Sequence, residues 1–121
     1  MATATWHRVC SLSDLEQDWA EAALIEGRQI AVVRTVRDDV FAFAHEDPNS
    51  GALVMARGIV GRTGEHDSIT SPLYKETYDL RTGECLDGAG SDPVDLRTWR
   101  VHVVDGDVLV ETDPGTGPEA P

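Results

Sequence analysis

Four side chains in the middle of the chain have the types that bind transition metals: His45, Asp47, His66 and Asp67. Imidazole nitrogens and carboxylate oxygens suit zinc or iron, but this spacing follows no zinc or iron pattern. Loop histidines beside acids are commonly solvated surface, so no metal site is assigned to them. Ser71 stands between Thr70 and Pro72 and lacks the flanking glycines of a nucleophile elbow. Gly61-Arg62-Thr63-Gly64-Glu65 and Gly88-Ala89-Gly90-Ser91 lack a phosphate-loop lysine and a strand-to-helix setting, and read as turns. Cys10 and Cys85 are far apart without CxxC spacing, which leaves no zinc or redox motif and suggests two small buried hydrophobes. His7 and His102 alternate along strands and read as structural. No catalytic, flavin or dinucleotide site is legible.

The elements that must position these residues are short strands. Trp6 to Cys10 alternates in polarity, and Ser13 with Glu16 has capping-box spacing for one brief helical turn. Ala22–Ile25 and Gln29–Arg34 read as a hairpin with Gly27 at its turn. The second arm is β-branched and almost continuously apolar, which predicts a central strand buried on both faces. Val40–Ala44 makes the next strand. From His45 to about Gly64 the pattern dissolves into Pro, Gly and Ser, a loop length that is commonly functional. Strands resume at Ile69-Thr70, Thr77–Leu80 and Glu84–Leu86, and Asp87 to Asp95 is a polar connector. Thr98–Val104 and Asp107–Glu111 flank Asp105-Gly106, a type I′ hairpin signal. About nine strands and almost no helix predict an all-β antiparallel sandwich or barrel. The domain is expected over 6–111, with an extension at 1–5 and a disordered tail at 112–121.

With 121 residues the chain supports one domain with a modest core. A net charge of −12 and a single lysine argue against nucleic acid and anionic membranes, whose binding relies on clustered Lys and Arg. No long apolar run predicts a membrane span and no secretion signal is legible, so a cytoplasmic location is expected. The acidity serves solubility, or docking to a basic partner.

Two turn segments carry a more specific pattern. Ser71-Pro72-Leu73-Tyr74 precedes Tyr78-Asp79-Leu80-Arg81-Thr82-Gly83, and Asp47-Pro48-Asn49 lies upstream. The layout resembles a Rieske iron–sulfur site, Cys-x-His followed by Cys-Pro-x-His and aromatic-Asp-Leu-x-Thr-Gly. Asp47 and Ser71 stand at the cysteine positions, and Asn49 and Tyr74 at the histidine positions. A Rieske [2Fe–2S] centre needs two thiolates on one iron and two imidazoles on the other. None of the four residues supplies either group.

The resemblance narrows over Glu26–Val32, Glu46–Pro48, Ala56–Gly61, Ser71–Lys75 and Leu80–Leu86. Together these are similar to the small subunit of the assimilatory NAD(P)H nitrite reductase, a Rieske-like subunit without the cluster. The likeness runs from about Trp6 to Val110. It implies a Rieske-like ferredoxin fold with an inserted, loop-rich subdomain at 45–86. It also implies a partner: a large subunit carrying FAD, a [4Fe–4S] cluster and sirohaem, which reduces nitrite to ammonium, while this chain holds no cofactor. Asp47, Asn49, Ser71 and Tyr74 then either fill the space of the lost cluster through hydrogen bonds or lie exposed at a loose tip. By analogy with Rieske ferredoxins, Leu53, Met55, Leu73, Tyr74 and Lys75 are the candidate docking contacts. Two rival readings are a Rieske-type electron-transfer ferredoxin and a stand-alone β-sandwich binding module.

Overall fold

The Arg28–Arg34 segment is apolar almost throughout because both of its faces are covered. In the computed structural model, which describes residues 5–90 and 92–112, it is β3 (Arg28–Arg34), at the centre of the molecule. Ile30 and Val32 point into one core with Leu15, Ile25, Ala42, Val108 and Val110. Ala31 and Val33 point into a second core with Phe41, Phe43, Met55, Ile69, Tyr78 and Leu80. The period-2 geometry of a strand divides one apolar run between two cores.

Three antiparallel sheets result. The middle one orders β2 (Glu21–Ile25), β3, β4 (Val40–Ala44) and β9 (Thr98–Trp99) as β2-β3-β4-β9. On one side lies a sheet of β1 (Thr5–Ser11), β11 (Asp107–Thr112) and β10 (Val101–Val104), ordered β1-β11-β10. On the other lies a meander of β5 (Ile59–Thr63), β6 (His66–Thr70), β7 (Thr77–Asp79) and β8 (Cys85–Asp87). Among the described residues, helix is confined to 3-10 turns at Leu12–Asp14 and Met55–Arg57, and no helix is long and apolar enough to cross a membrane. The fold is all-β, as expected.

Local turn chemistry behaves as the sequence predicts at both hairpins. Glu26-Gly27 and Asp105-Gly106 have φ of 52° and 78°, and 52° and 83°, the paired positive values of a type I′ turn. Three expectations change. The capping box is Ser11 with Asp14, whose carboxylate accepts the Ser11 N–H at 3.0 Å, not Ser13 with Glu16. Ile59–Thr63 is a strand rather than loop; its apolar residues are the adjacent Ile59 and Val60, followed by Gly61, Arg62 and Thr63, so it lacks a legible alternating face. The single arm expected over 98–104 is broken at Arg100, where the chain leaves the middle sheet and joins the outer one.

Thr5 and Thr112, expected outside the domain, pair with each other at the end of β1 and β11. The rest of the expected extension and tail, 1–4 and 113–121, lies outside the described residues. The two cysteines are only half-buried. Burial pushes both thiols above their usual range.

Candidate functional site

The meander exists to present two loops, 45–58 and 71–76, side by side. Its rear is fixed by Asp79, which is buried and turns the chain after β7. One carboxylate oxygen accepts the N–H groups of Arg81 at 2.7 Å and Thr82 at 3.4 Å, while the other meets His66 Nδ1 at 2.7 Å. Gly83 then takes φ +82° where a Cβ would lie 1.9 Å from the Leu96 carbonyl oxygen. These contacts account for the residue types of Tyr78-Asp79-Leu80-Arg81-Thr82-Gly83: aspartate caps the turn and only glycine fits its end.

The first loop winds around Asp47, which is fully buried. Its Oδ1 accepts the N–H groups of Asn49 at 2.8 Å and Ser50 at 3.2 Å, an Asx-type turn. Its Oδ2 accepts the hydroxyl of Ser71 at 2.5 Å, and Ser71 is also fully buried. Ser71 in turn closes the second loop, its N–H donating to the Glu76 carbonyl at 2.8 Å and its Oγ accepting the Leu73 N–H at 3.3 Å. One charge-assisted hydrogen bond therefore ties the two loops at their base.

The outer positions behave differently. Asn49 is exposed, and its amide donates to the Tyr78 hydroxyl at 3.0 Å. Tyr74 is 58% exposed and takes no part in the tie. The structure thus divides the four positions, for which filling one space together and exposure at the tip were both open. Asp47 and Ser71, expected at cysteine positions, touch each other in the interior; Asn49 and Tyr74, expected at histidine positions, face outward. The aromatic that fills the space is Tyr78, which sequence reasoning placed only in a strand. Burial, and after it the Glu76 and Asp47 carboxylates, push its phenol well above the usual range, so it stays protonated.

Of the candidate docking residues, Leu53, Leu73, Tyr74 and Lys75 are exposed on this tip. Met55 is not: it is fully buried in the core between the middle sheet and the meander, because its 3-10 turn packs against β3. Its side chain is unavailable to a partner. The four residues weighed as a metal set each have another engagement. His45 Nδ1 accepts the Ala56 N–H, Asp47 bonds Ser71, His66 meets Asp79, and Asp67 pairs with Arg62 at 3.0 Å. Sequence reasoning also missed Glu76, which is 1% exposed with no hydrogen-bond partner for either carboxylate oxygen among the described residues. Only its strand phase, two residues before Tyr78, could have signalled that it points inward.

Comparison with known proteins accords with this geometry. The profile of the Rieske-like [2Fe-2S] domain matches residues 5–111, nearly the whole described chain. The chain belongs to that family. Nitrite reductase small subunits are among its relatives. A small subunit of the NADH enzyme from Salmonella typhimurium is 29% identical over 102 residues, 84% of this chain and 92% of that protein. A crystal structure from Mycobacterium tuberculosis, assigned as an NADH-dependent nitrite reductase small subunit, superposes with a TM-score of 0.84 at 33% identity. That match covers 91% of this chain and 96% of the other. A third relative is a nitrite reductase large subunit from Klebsiella oxytoca, 38% identical over 105 residues. The match takes in 87% of this chain but spans only 11% of that relative's length.

The Rieske-like family name implies a [2Fe–2S] cluster, and the residues of this member do not fit one. The inner pair offers a carboxylate and a hydroxyl already bonded to each other, and the outer pair an amide and a phenol. Thiolate and imidazole donors are both missing from these positions.

Proposed function

We propose that this protein is the small subunit of an NAD(P)H nitrite reductase and acts by binding the large subunit through the tip formed by 45–58 and 71–76. The single observation that carries this reading is the Klebsiella match. A domain 38% identical to this chain forms part of a large subunit there, so the two components occur in one polypeptide. A module that is covalently joined in one organism and separate in another is commonly a stable partner of the remainder.

The chemistry of nitrite reduction, with its flavin, [4Fe–4S] cluster and sirohaem, belongs on this reading to the large subunit. This chain contributes an ordered surface. Leu53, Leu73 and Tyr74 are exposed apolar groups on a tip otherwise held by polar bonds, and Lys75 adds a cation in a strongly acidic protein. The fold is that of a Rieske ferredoxin, but the donor set at the four ligand positions favours the subunit reading over electron carriage. The reading as a free-standing binding module is weakened by the small-subunit relatives, which share most of their length with this chain.

The deciding experiment is co-purification of tagged protein with the cognate large subunit. Wild type is expected to retain it, and Leu73→Ala/Tyr74→Ala to weaken retention at least about tenfold, the loss of an apolar anchor pair at an interface centre. Unchanged retention by the double variant refutes the docking surface; no retention by wild type refutes the partnership. A visible [2Fe–2S] absorption in the purified chain would overturn the cofactor-free reading.

A further inference from the structure

A cleft of about 480 Å³ opens between the segment 18–22 leading into β2 and the Met55–Arg57 turn, behind the first tip loop. Its volume falls within the range of small-ligand sites. Its floor is His45, 8% exposed and held by the Ala56 N–H, which donates to Nδ1 at 3.0 Å. That bond puts the ring proton on Nε2 and leaves one neutral N–H donor on a ring that lines the cleft. Burial, and then the nearby Arg57 cation, hold the His45 pKa below the usual imidazole range, so the ring stays neutral near pH 7.

The rim has a different character. Trp19 presents an aromatic wall, 61% exposed, although tryptophan is costly to leave in water. Arg57 supplies a cation, and Asp18 and Glu21, both exposed, supply two anions. Ala20, Ala56 and Gly58 leave the interior free of bulky side chains. A simple anion would meet Arg57 and the His45 donor but also two carboxylates. A simple cation would meet the carboxylates but also the guanidinium. The group that satisfies all of them carries both charges.

We infer that this cleft binds a small zwitterion of the α-amino-acid class, its carboxylate directed to His45 Nε2–H and Arg57, its ammonium to Asp18 and Glu21, and its aliphatic part against Trp19. His45 and Arg57 stand at the two ends of the first tip loop, whereas Asp18, Trp19 and Glu21 lie outside it, and the inference does not depend on the partner.

The test uses the full chain, ¹⁵N-labelled, titrated with L-glutamine, with acetate and with methylammonium as separate probes. Saturable shifts are expected at the Trp19 indole, the Ala56 and Arg57 amides and the His45 ring with glutamine below about 20 mM, and at least about tenfold weaker binding for each single-charge probe. Arg57→Gln and Trp19→Ala, both at exposed positions, are expected to keep a folded spectrum and to weaken glutamine binding about tenfold each. Equal binding of acetate would overturn the zwitterion assignment. No shift with any probe would overturn the site, and so would protection of Trp19 only on adding the large subunit, which would assign the cleft to the subunit interface.

Discussion

Removal of the Asp47 carboxylate should reveal how much the tie between the two tip loops contributes. Asp47→Ala deletes three accepted hydrogen bonds: from Asn49 N–H, from Ser50 N–H and from the Ser71 hydroxyl. Bonds to a charged group contribute about 1.5–3 kcal/mol each in isolation. The sum overstates the effect, for two reasons. The two backbone N–H groups lie close to the surface and can rehydrate, and the substitution also relieves the desolvation of a fully buried charge. What cannot rehydrate is the Ser71 hydroxyl, fully buried and left unpaired at about 1–3 kcal/mol. The expected net destabilisation is about 2–4 kcal/mol. Asp47→Asn keeps an acceptor for the loop N–H groups and can donate its amide to Ser71 Oγ, so it should lose only about 1 kcal/mol. Ser71→Ala should fall between them.

Urea unfolding monitored by tryptophan fluorescence and far-UV dichroism measures this directly as a shift in midpoint at constant slope. The double variant Asp47→Ala/Ser71→Ala should be less destabilised than the sum of the singles, since both remove the same bond. Asp47→Ala within about 0.5 kcal/mol of wild type, or strict additivity in the double variant, would refute the idea that this pair holds the loops.

Further outcomes follow from the same geometry. Asp47→Cys/Asn49→His/Ser71→Cys/Tyr74→His places two thiols at the touching interior positions and two imidazoles at the outward ones, and iron–sulfur reconstitution should yield a [2Fe–2S] absorption spectrum. A folded variant that takes up no iron would show that the loops are not in Rieske register. Gly83→Ala combines φ +82° with a 1.9 Å approach to the Leu96 carbonyl and should cost about 3 kcal/mol or more, while Gly90→Ala, at φ +95° in open space, should cost about 1 kcal/mol; equal effects in thermal unfolding would contradict the close-approach argument. Glu76→Met replaces a buried carboxylate that has no hydrogen-bond partner among the described residues by an apolar chain of similar length and should raise stability by about 1–3 kcal/mol in the urea assay, whereas a loss would mean that the carboxylate has a partner in solution. The His45 pKa is lowered in the folded state, so its stabilising contribution is intact above the unfolded imidazole value of about 6.5 and declines as pH falls below it. NMR titration should place the His45 midpoint below that value, with the Ala56 amide resonance moving at the same pH; a midpoint at or above it would contradict the buried neutral ring.

Much of the architecture was readable because local chemistry and burial agree. The β3 run is continuous because it serves two cores, and Asp105-Gly106 has the positive φ pair that its residues favour. The turns at Asp47 and after Asp79 were readable as well, since aspartate and glycine mark them. Met55 was misread because an apolar residue in a Pro- and Gly-rich stretch looks exposed. Its burial depends on Phe43 and Ile69, contributed by other parts of the chain. β5 was missed because three of its five positions carry no apolar side chain, and Arg100 because a switch between sheets leaves the alternation of a strand unbroken.

The amino-acid order alone determined that this protein is a strand-built domain in which Asp47, Asn49, Ser71 and Tyr74 offer no thiol and no imidazole, since donor chemistry is a property of residue type. Only the folded chain decided that Asp47 and Ser71 bond to each other in the interior while Asn49 and Tyr74 face water, and that Tyr78 and Glu76 occupy the space beneath. Contacts between segments distant in sequence are set by how the meander packs on the middle sheet, and no local pattern encodes that distance.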